Sequence, residues 1–483
     1  MECDVCVWGG TVLTMDGQFS LHDPGYVAVR DGVIVGVGAI GGAGMGADGR
    51  LGAPARSRAD ATHGAARGAP GNASSSASGS APDCGGWRAR ETVDARGTIV
   101  MPGYVNTHTH ISMSPFRGAK EDSKDRLTRF IFPLEKRMVR PELVYDGALF
   151  TIAEMVRSGT TCFADMYYFE EEVGRAAARA GVRALVGETI VDFAAPDATA
   201  PYEGIARAER LVEEWRGHPL VRGIIAPHAP YTVDAEHLRA IADLAEKLDA
   251  AVMMHIAEMD FEHARFSAEH GSVLRYLDTT GILSPRLIAA HMLYLDDADI
   301  ELAATRGIAI AHCPGSNAKS GRPISPAWRL GEAGAPVGLG TDGPLSGNTM
   351  DMQTVVSLYP KLQKVREGRR DLVSARDALI AATKGGARVL GLDGQIGSIE
   401  PGKAADLQII DLDDFNTLPA HDWYSAAVYS LQAHNVRDTM VAGSFVMRNR
   451  KLRFADEAEL KKRLLFHAHQ SSGLIESLLA EGR

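Results

Sequence analysis

Gly97-Thr98-Ile99-Val100-Met101-Pro102-Gly103-Tyr104-Val105-Asn106-Thr107-His108-Thr109-His110 is the stretch on which the reading of this chain turns. An apolar, β-branched run leads through Pro-Gly to two histidines two positions apart. Residues i and i+2 of a strand face the same side, so two imidazoles at its C-terminal end could grip one metal ion. Two solvated loop histidines look the same in isolation, and the surroundings decide between them. Val100 heads a series of eight short apolar runs; the others are Thr161-Cys162-Phe163, Ala184-Leu185-Val186, Gly223-Ile224-Ile225-Ala226, Ala251-Val252-Met253-Met254, Leu287-Ile288-Ala289-Ala290, Ile308-Ala309-Ile310-Ala311 and Val337-Gly338-Leu339-Gly340. Amphipathic helical stretches such as Glu170–Ala180 and Ala235–Leu248 stand between them. Strands alternating with helices predict an α/β fold, a parallel (β/α)8 barrel of the TIM type over residues 101–390.

Polar residues end several of these runs. His255 closes the run at 252–254 and His291 the run at 287–290. Asp342 follows the last run inside Gly340-Thr341-Asp342-Gly343, and His228 follows Gly223–Ala226. With His108 and His110, groups able to bind metal or move protons fall at the C-terminal ends of five separate strands, where barrel enzymes carry their active sites. Histidines scattered through a core would have no reason to keep that placement.

Outside the barrel the two chain ends read as β. Val5–Trp8, 11–15, 26–30 and 33–37 are short strands, and Asp31-Gly32 between the last two is a hairpin signal. Strand character returns at 91–95, 405–410 and 436–446, before a helix over 457–479. The N- and C-terminal segments, 1–100 and 391–483, are expected to pair into a small composite β-sandwich. Between residues 41 and 86, 33 of 46 residues are Gly, Ala, Ser or Pro, too few large apolar side chains to offset ordering entropy. The expectation there is a disordered insertion in a β-turn.

Composition narrows the function. The chain of 483 residues carries 51 Lys+Arg against 61 Asp+Glu, a net charge of -10, which disfavours nucleic-acid backbone and anionic membrane as partners. No run is long and apolar enough for a transmembrane helix, and Met1-Glu2-Cys3-Asp4 does not open a secretion signal. Five scattered cysteines suggest reduced thiols in a cytoplasmic protein. Cys3 and Cys6 form a CxxC without the second pair a zinc ribbon needs, so they read as plain strand residues.

With these motifs assembled, the chain resembles the amidohydrolase superfamily, in its aminohydrolase branch of chlorohydrolases and methylthioadenosine/S-adenosylhomocysteine deaminases. The resemblance rests on 102–110, Pro227-His228-Ala229-Pro230-Tyr231, His255-Ile256-Ala257-Glu258, Ala290-His291, His312-Cys313-Pro314-Gly315-Ser316-Asn317, Gly340–Gly343 and 396–407, in family order across almost the whole chain outside 41–86. It implies a metal-dependent hydrolytic deaminase of a small N-heteroaromatic compound, working as a homodimer or higher homo-oligomer. Three neutral histidines, His108, His110 and His255, plus Asp342 suit one divalent metal, Zn2+ first and Fe2+ second, with a position left for water. Binuclear relatives bridge two metals with a carboxylated lysine; here that strand ends in Ala226-Pro227-His228, so one metal is expected.

The catalytic residues expected are Glu258, His291 and Asp342. Asp342 takes the proton of the attacking water, and His291 orients that water and stabilises charge. Glu258 carries protons to the ring nitrogen and the leaving amine, which favours deamination over ester or simple amide hydrolysis. His228 and Glu135 match substrate-contacting positions, Glu135 that of a ribose-binding glutamate. Two further candidates depart from the nucleoside deaminases: Arg126 stands where a stacking tryptophan is usual, and Glu188 where an arginine is usual. Those departures would fit a more polar or cationic ring, or one without the nucleoside tail, with Phe130, Phe132, Tyr167, Tyr168 or Phe193 supplying a stacking face. Methylthioadenosine or S-adenosylhomocysteine leads the substrate classes. Triazine-type dechlorination or deamination and guanine, cytosine or pterin deamination follow. A catalytically silent binding barrel is the alternative from another class, and it would predict gaps in a ligand set that is complete here.

Overall fold

The computed structural model of the protein describes residues 1–41, 84–122 and 126–481. Eight parallel strands form one sheet in chain order: β1 (Tyr104–Thr109), β2 (Thr160–Tyr167), β3 (Arg183–Ile190), β4 (Val221–Pro227), β5 (Val252–Ile256), β6 (Leu287–His291), β7 (Ala309–His312) and β8 (Val337–Leu339). Seven of the expected runs are barrel strands, but the first is displaced. Val100 lies in Thr98–Pro102, which pairs antiparallel with Leu407–Asp411 in the other sheet, and the chain enters the barrel only after Gly103. The apolar run was a true strand signal; which sheet it joined was not written in its composition.

Side chains of β1 and the loop after β8 link the barrel's first and last strands. The Asn106 amide donates to Thr341 Oγ1 at 2.8 Å and accepts from the Thr341 N–H at 3.0 Å, and the Asp342 N–H donates to the His108 carbonyl at 3.1 Å. Gly338 permits the approach: a Cβ there would stand 2.5 Å from Thr107 Cγ2. Alternation sorts the strand residues. On β5, Met253 joins the cluster inside the barrel, while Val252, Met254 and Ile256 pack outward with Leu238, Ile241 and Phe266 of the flanking helices. His255 shares Met253's inward side.

The chain ends meet, as expected, in a second sheet of nine strands. It runs as one continuous sheet from Lys451–Leu452 through Ser444–Arg448, Val436–Val441, Leu407–Asp411, Thr98–Pro102 and Glu2–Leu13 to Leu21–Arg30 and Val33–Ala39, with Arg88–Asp94 also paired to Glu2–Leu13. Residues from both ends, including Val7, Val27, Ile34, Leu407 and Met440, share one apolar cluster. Asp31 and Gly32 make the hairpin turn at φ 52° and 78°. Arg183 at the start of β3 joins the two sheets: its Nε donates to Asp406 Oδ2 at 2.7 Å, and Asp406 also accepts the Ala442 N–H at 2.8 Å.

The cysteine expectation is corrected. Cys6 and Cys84 form a disulfide with Cα atoms 6.4 Å apart, while Cys3, Cys162 and Cys313 are free and buried. The pair is 78 residues apart in sequence, so no spacing signals it. Parallel pairing of Glu2 with Arg88, after the turn at Gly85-Gly86, brings Cys84 onto the first strand. Apart from residue 41 and residues 84–86, the expected insertion lies outside the described residues. No helix among the described residues is long and apolar enough to cross a membrane.

Candidate active site

His108 and His110 reach the barrel axis through an irregularity. Val105 belongs to the apolar cluster inside the barrel, so strict alternation would turn Thr107 and Thr109 inward and both histidines outward. Pairing with β2 breaks register between Asn106 and Thr109, and the imidazoles turn to the centre. His108, His110 and His255 bring one ring nitrogen each to within 4.8 Å of one another. His110 Nδ1 lies 2.6 Å from the Met166 carbonyl and His255 Nδ1 2.8 Å from the His228 carbonyl. Donation to those carbonyls fixes the Nδ1–H tautomers and leaves both Nε2 lone pairs facing each other at 3.2 Å. His108 Nε2 is buried without a hydrogen-bond partner among the described residues. Burial, reinforced by neighbouring imidazoles, holds His108 and His255 well below the usual imidazole range, so both are neutral at pH 7. Three converging ring nitrogens, with His108 and His255 held neutral, are what a divalent metal satisfies and little else does.

Asp342 stands beside this group rather than inside it. Its Oδ1 is 3.5 Å from His110 Nε2 and accepts the Gly343 N–H at 2.6 Å, from a left-handed backbone at φ 60°. His291 also has positive φ, 73°, and needs it. Alternation would put it with Leu287 and Ala289 on the outer face, yet its ring stacks on His255 with centroids 5.4 Å apart. His291 Nδ1 lies 3.0 Å from Asn317 Oδ1, which leaves Nε2 directed at Glu258 Oε1, 3.7 Å away. Burial by itself would raise the Glu258 carboxyl, but His291 and the hydrogen-bonded Arg322 guanidinium outweigh it and hold the group well below the carboxylate range.

Glu262 positions that acid. Its buried carboxylate accepts the N–H groups of Ala257 at 3.0 Å, Glu258 at 2.9 Å and Met259 at 3.1 Å, closing the turn between β5 and the helix Asp260–His270. Burial pushes Glu262 up to about 7 despite those three bonds. Neither Glu262 nor Arg322 was read from the sequence. Glu262 carries a findable signal, a glutamate at the third position of a helix; Arg322 carries none.

These groups open into a cavity of about 1020 Å³. His228 lines it with Nδ1 2.9 Å from Thr232 Oγ1, and burial lowers its pKa to about 4. Glu135, on the helix Phe132–Met138, lines the same cavity, pushed up to about 8 by burial with the Tyr167 hydroxyl working the other way. Phe132, Tyr167 and Tyr168 line it too, and Phe193 packs on Phe132 with centroids 5.3 Å apart; Phe130 is core. Arg126 reaches the cavity wall, but its Nη1 donates to the Leu345 carbonyl at 2.9 Å and its Nη2 to the Ala119 carbonyl at 2.6 Å, so it straps two loops together. Glu188 is a correction. It is not in the cavity but buried behind β3, accepting the Glu170 N–H at 3.2 Å and standing 3.4 Å from Arg207 Nε. Thr189, one position on and therefore on the opposite face, is the β3 residue that lines the cavity.

A parallel eight-stranded barrel with three converging histidines and flanking carboxylates at its C-terminal rim defines a metal-dependent barrel hydrolase. Residues 99–446 match the Amidohydrolase family, and the chain belongs to it. It is 40% identical over 373 residues to 5-methylthioadenosine/S-adenosylhomocysteine deaminase 1 of Syntrophus aciditrophicus, covering 77% of this chain and 84% of that one. It is 34% identical over 471 residues to the 5-methylthioadenosine/S-adenosylhomocysteine deaminase of Syntrophobacter fumaroxidans, covering 97% and 98%. The solved structure of an adenosine deaminase from Xanthomonas campestris with bound zinc matches it at a TM-score of 0.86 and 34% identity, covering 99% of both chains.

Proposed function

We propose that this protein hydrolytically deaminates an N-heteroaromatic ring, with 5'-methylthioadenosine and S-adenosylhomocysteine as its substrates. The observation that carries the reading is Glu258, held beside His291 and facing the cavity next to the three-histidine group. The names of the similar deaminases support the adenosine-type ring. So does the placement of the two departures: Glu188 stands outside the cavity, and Arg126, on the cavity wall, spends its guanidinium on backbone carbonyls.

His108, His110 and His255, with Asp342 alongside, would hold one divalent ion, zinc before iron. When bound, that ion supplies a water of lowered pKa. The residues then move protons. Glu258, ionised in the free protein, takes one proton from the attacking water as the new C–O bond forms at the amine-bearing carbon. The ring C=N electron pair moves onto the ring nitrogen, which takes that proton from Glu258. Asp342 takes the second proton and returns it to the amine, the C–N bond breaks, and ammonia leaves a ring carbonyl behind. His291, its Nδ1 committed to Asn317, presents Nε2 to the developing charge. Glu135 and His228, which line the same cavity, would meet the sugar and ring edge.

Ammonia release from zinc-loaded protein tests this across methylthioadenosine, S-adenosylhomocysteine, adenosine, guanine, cytosine, pterins and aminotriazines. Turnover of the adenosine derivatives, lost in Glu258→Gln with metal retained, is the expected result; turnover of a bare base or triazine alone would refute the substrate assignment. Homodimerisation and a cytoplasmic location belong to the same proposal, checked by sedimentation and by fractionation. A non-reducing thiol count on freshly isolated protein checks the Cys6–Cys84 disulfide, with three free thiols expected.

A further inference from the structure

Arg322 is a cation inside the candidate active site that the proposed chemistry uses only as the partner of the ionised Glu258. The β7 loop delivers it: Arg322 follows the short helix Pro314–Lys319, and its N–H donates to the Asn317 carbonyl at 3.1 Å, so the residue that orients His291 also sets Arg322. The side chain is only 25% exposed and lines the cavity. One guanidinium nitrogen, Nη1, hydrogen-bonds Glu258 Oε1, the oxygen that faces His291. The other, Nη2, rests 2.9 Å from the Met259 thioether sulfur. A thioether is a poor acceptor, and a guanidinium donor parked on one in a largely enclosed site is available to a better partner. Glu258 Oε2 accepts no hydrogen bond among the described residues.

Charge makes the same demand. When Glu258 carries a proton during the reaction, the attraction that pairs it with Arg322 is lost, and a mostly buried guanidinium loses its nearest counter-charge, with Asp342 the next carboxylate to act on it. Electron density meanwhile flows from the attacked carbon into the ring nitrogen. If the next ring atom is a carbonyl carbon, conjugation carries part of that density onto its oxygen, and the guanidinium seated against the acid that serves the ring nitrogen is the cation on hand to meet it. With a C–H at that place, Nη2 keeps only the sulfur.

We propose that Arg322 is a specificity-determining residue that reads the ring atom beyond the protonated nitrogen. It extends the site to aminoheterocycles with an oxo group there, the amine–C=N–C=O edge of 2-oxoadenine nucleosides and aminopyrimidinones. The inference rests on the deaminase reading and adds to it a donor for an oxygen that adenine lacks. The reaction stays balanced as before: water in, ammonia out, with the oxo group unchanged.

The test compares two nucleosides that differ by one oxygen, adenosine and its 2-oxo analogue isoguanosine, with 5'-methylthioadenosine as a third substrate, all by ammonia release. The expected result is a kcat/KM for isoguanosine at least about tenfold above that for adenosine, the worth of one hydrogen bond to a charged group. In Arg322→Met the ratio should collapse towards unity, and Arg322→Lys should restore only part of it because a single ammonium lacks the two-pronged fork. Adenosine turned over as well as isoguanosine, or a ratio unchanged by Arg322→Met, overturns the assignment while leaving the deaminase reading intact. Silence on all three nucleosides and on S-adenosylhomocysteine overturns the adenosine-type substrate reading and this inference with it.

Discussion

Replacing Glu262 by alanine separates holding the acid from being the acid. Glu262 touches no substrate; its carboxylate accepts three consecutive backbone N–H groups, from Ala257, Glu258 and Met259. Removing it orphans all three. Ala257 is fully buried and cannot recruit water, while Glu258 and Met259 are partly exposed and can. One buried orphan at about 1–3 kcal/mol and two partly hydrated ones at less give a loss of about 2–4 kcal/mol in urea unfolding. The catalytic loss should be larger in proportion. A turn that relaxes by about an ångström carries Glu258 off the ring nitrogen, and such a misplacement lowers rates about a hundredfold. The expected signature of Glu262→Ala is thus a kcat down about a hundredfold, a modest change in KM and a full complement of metal by elemental analysis, because His255 sits on the strand before the turn. Glu262→Gln keeps one acceptor oxygen and should fall between. A folded, metal-replete Glu262→Ala protein with kcat within twofold of the native value would refute the claim that this carboxylate positions Glu258. The same residue predicts a pH effect. Its pKa rises from 4.5 to about 7 on folding, so the native state holds the proton more tightly and stability falls as pH rises from 4.5 to 7. The shift corresponds to about 3 kcal/mol, and that slope should vanish in Glu262→Gln.

Glu258→Gln should retain metal and fold but lose about 10²–10⁴ in kcat, measured by ammonia release, because the amide cannot move a proton. Stripping metal with a chelator should lower the melting temperature, since an ion present at a thousandfold over its Kd adds about 4 kcal/mol to the native state; His255→Ala should remove that dependence, seen as equal melting with and without chelator. Gly338→Val should destabilise the protein by at least about 1–3 kcal/mol in the same urea assay, because its side chain must enter space held by Thr107 Cγ2 and the Gly386 backbone. Arg183→Met leaves Asp406 charged and buried between the two sheets and should cost about 3–5 kcal/mol, whereas the double change with Asp406→Leu should recover most of it.

The parts of this protein legible in sequence are those that depend on local pattern. Runs such as Leu287–Ala290 are apolar because both faces of a parallel strand are covered, and they announce a barrel wherever they stand. Asp31-Gly32 specified its hairpin because the turn needs left-handed residues at both places. His255 was legible as a ligand because it follows the inward parity of Met253. His291 was found by position, but nothing in its neighbourhood told that a left-handed backbone would swing it from the outer face to the inner one. Glu188 failed for the complementary reason: it stood at a suggestive place in a motif, yet one step of alternation put it behind the wall and Thr189 before it.

Sequence by itself determined the barrel, the pairing of the chain ends, and the residues able to bind a metal and move protons, because these follow from side-chain period and from what each side chain can ionise or ligate. Tertiary structure alone decided three things. Register placed Val100 in the terminal sheet and turned His108 inward. Chain return brought Cys84 to Cys6 across 78 residues. Loop packing set Arg322 against Glu258 and tied Arg126 away on carbonyls. Each depends on which segments lie next to one another in space, and a contact between distant loops leaves no period, spacing or composition by which a sequence could announce it.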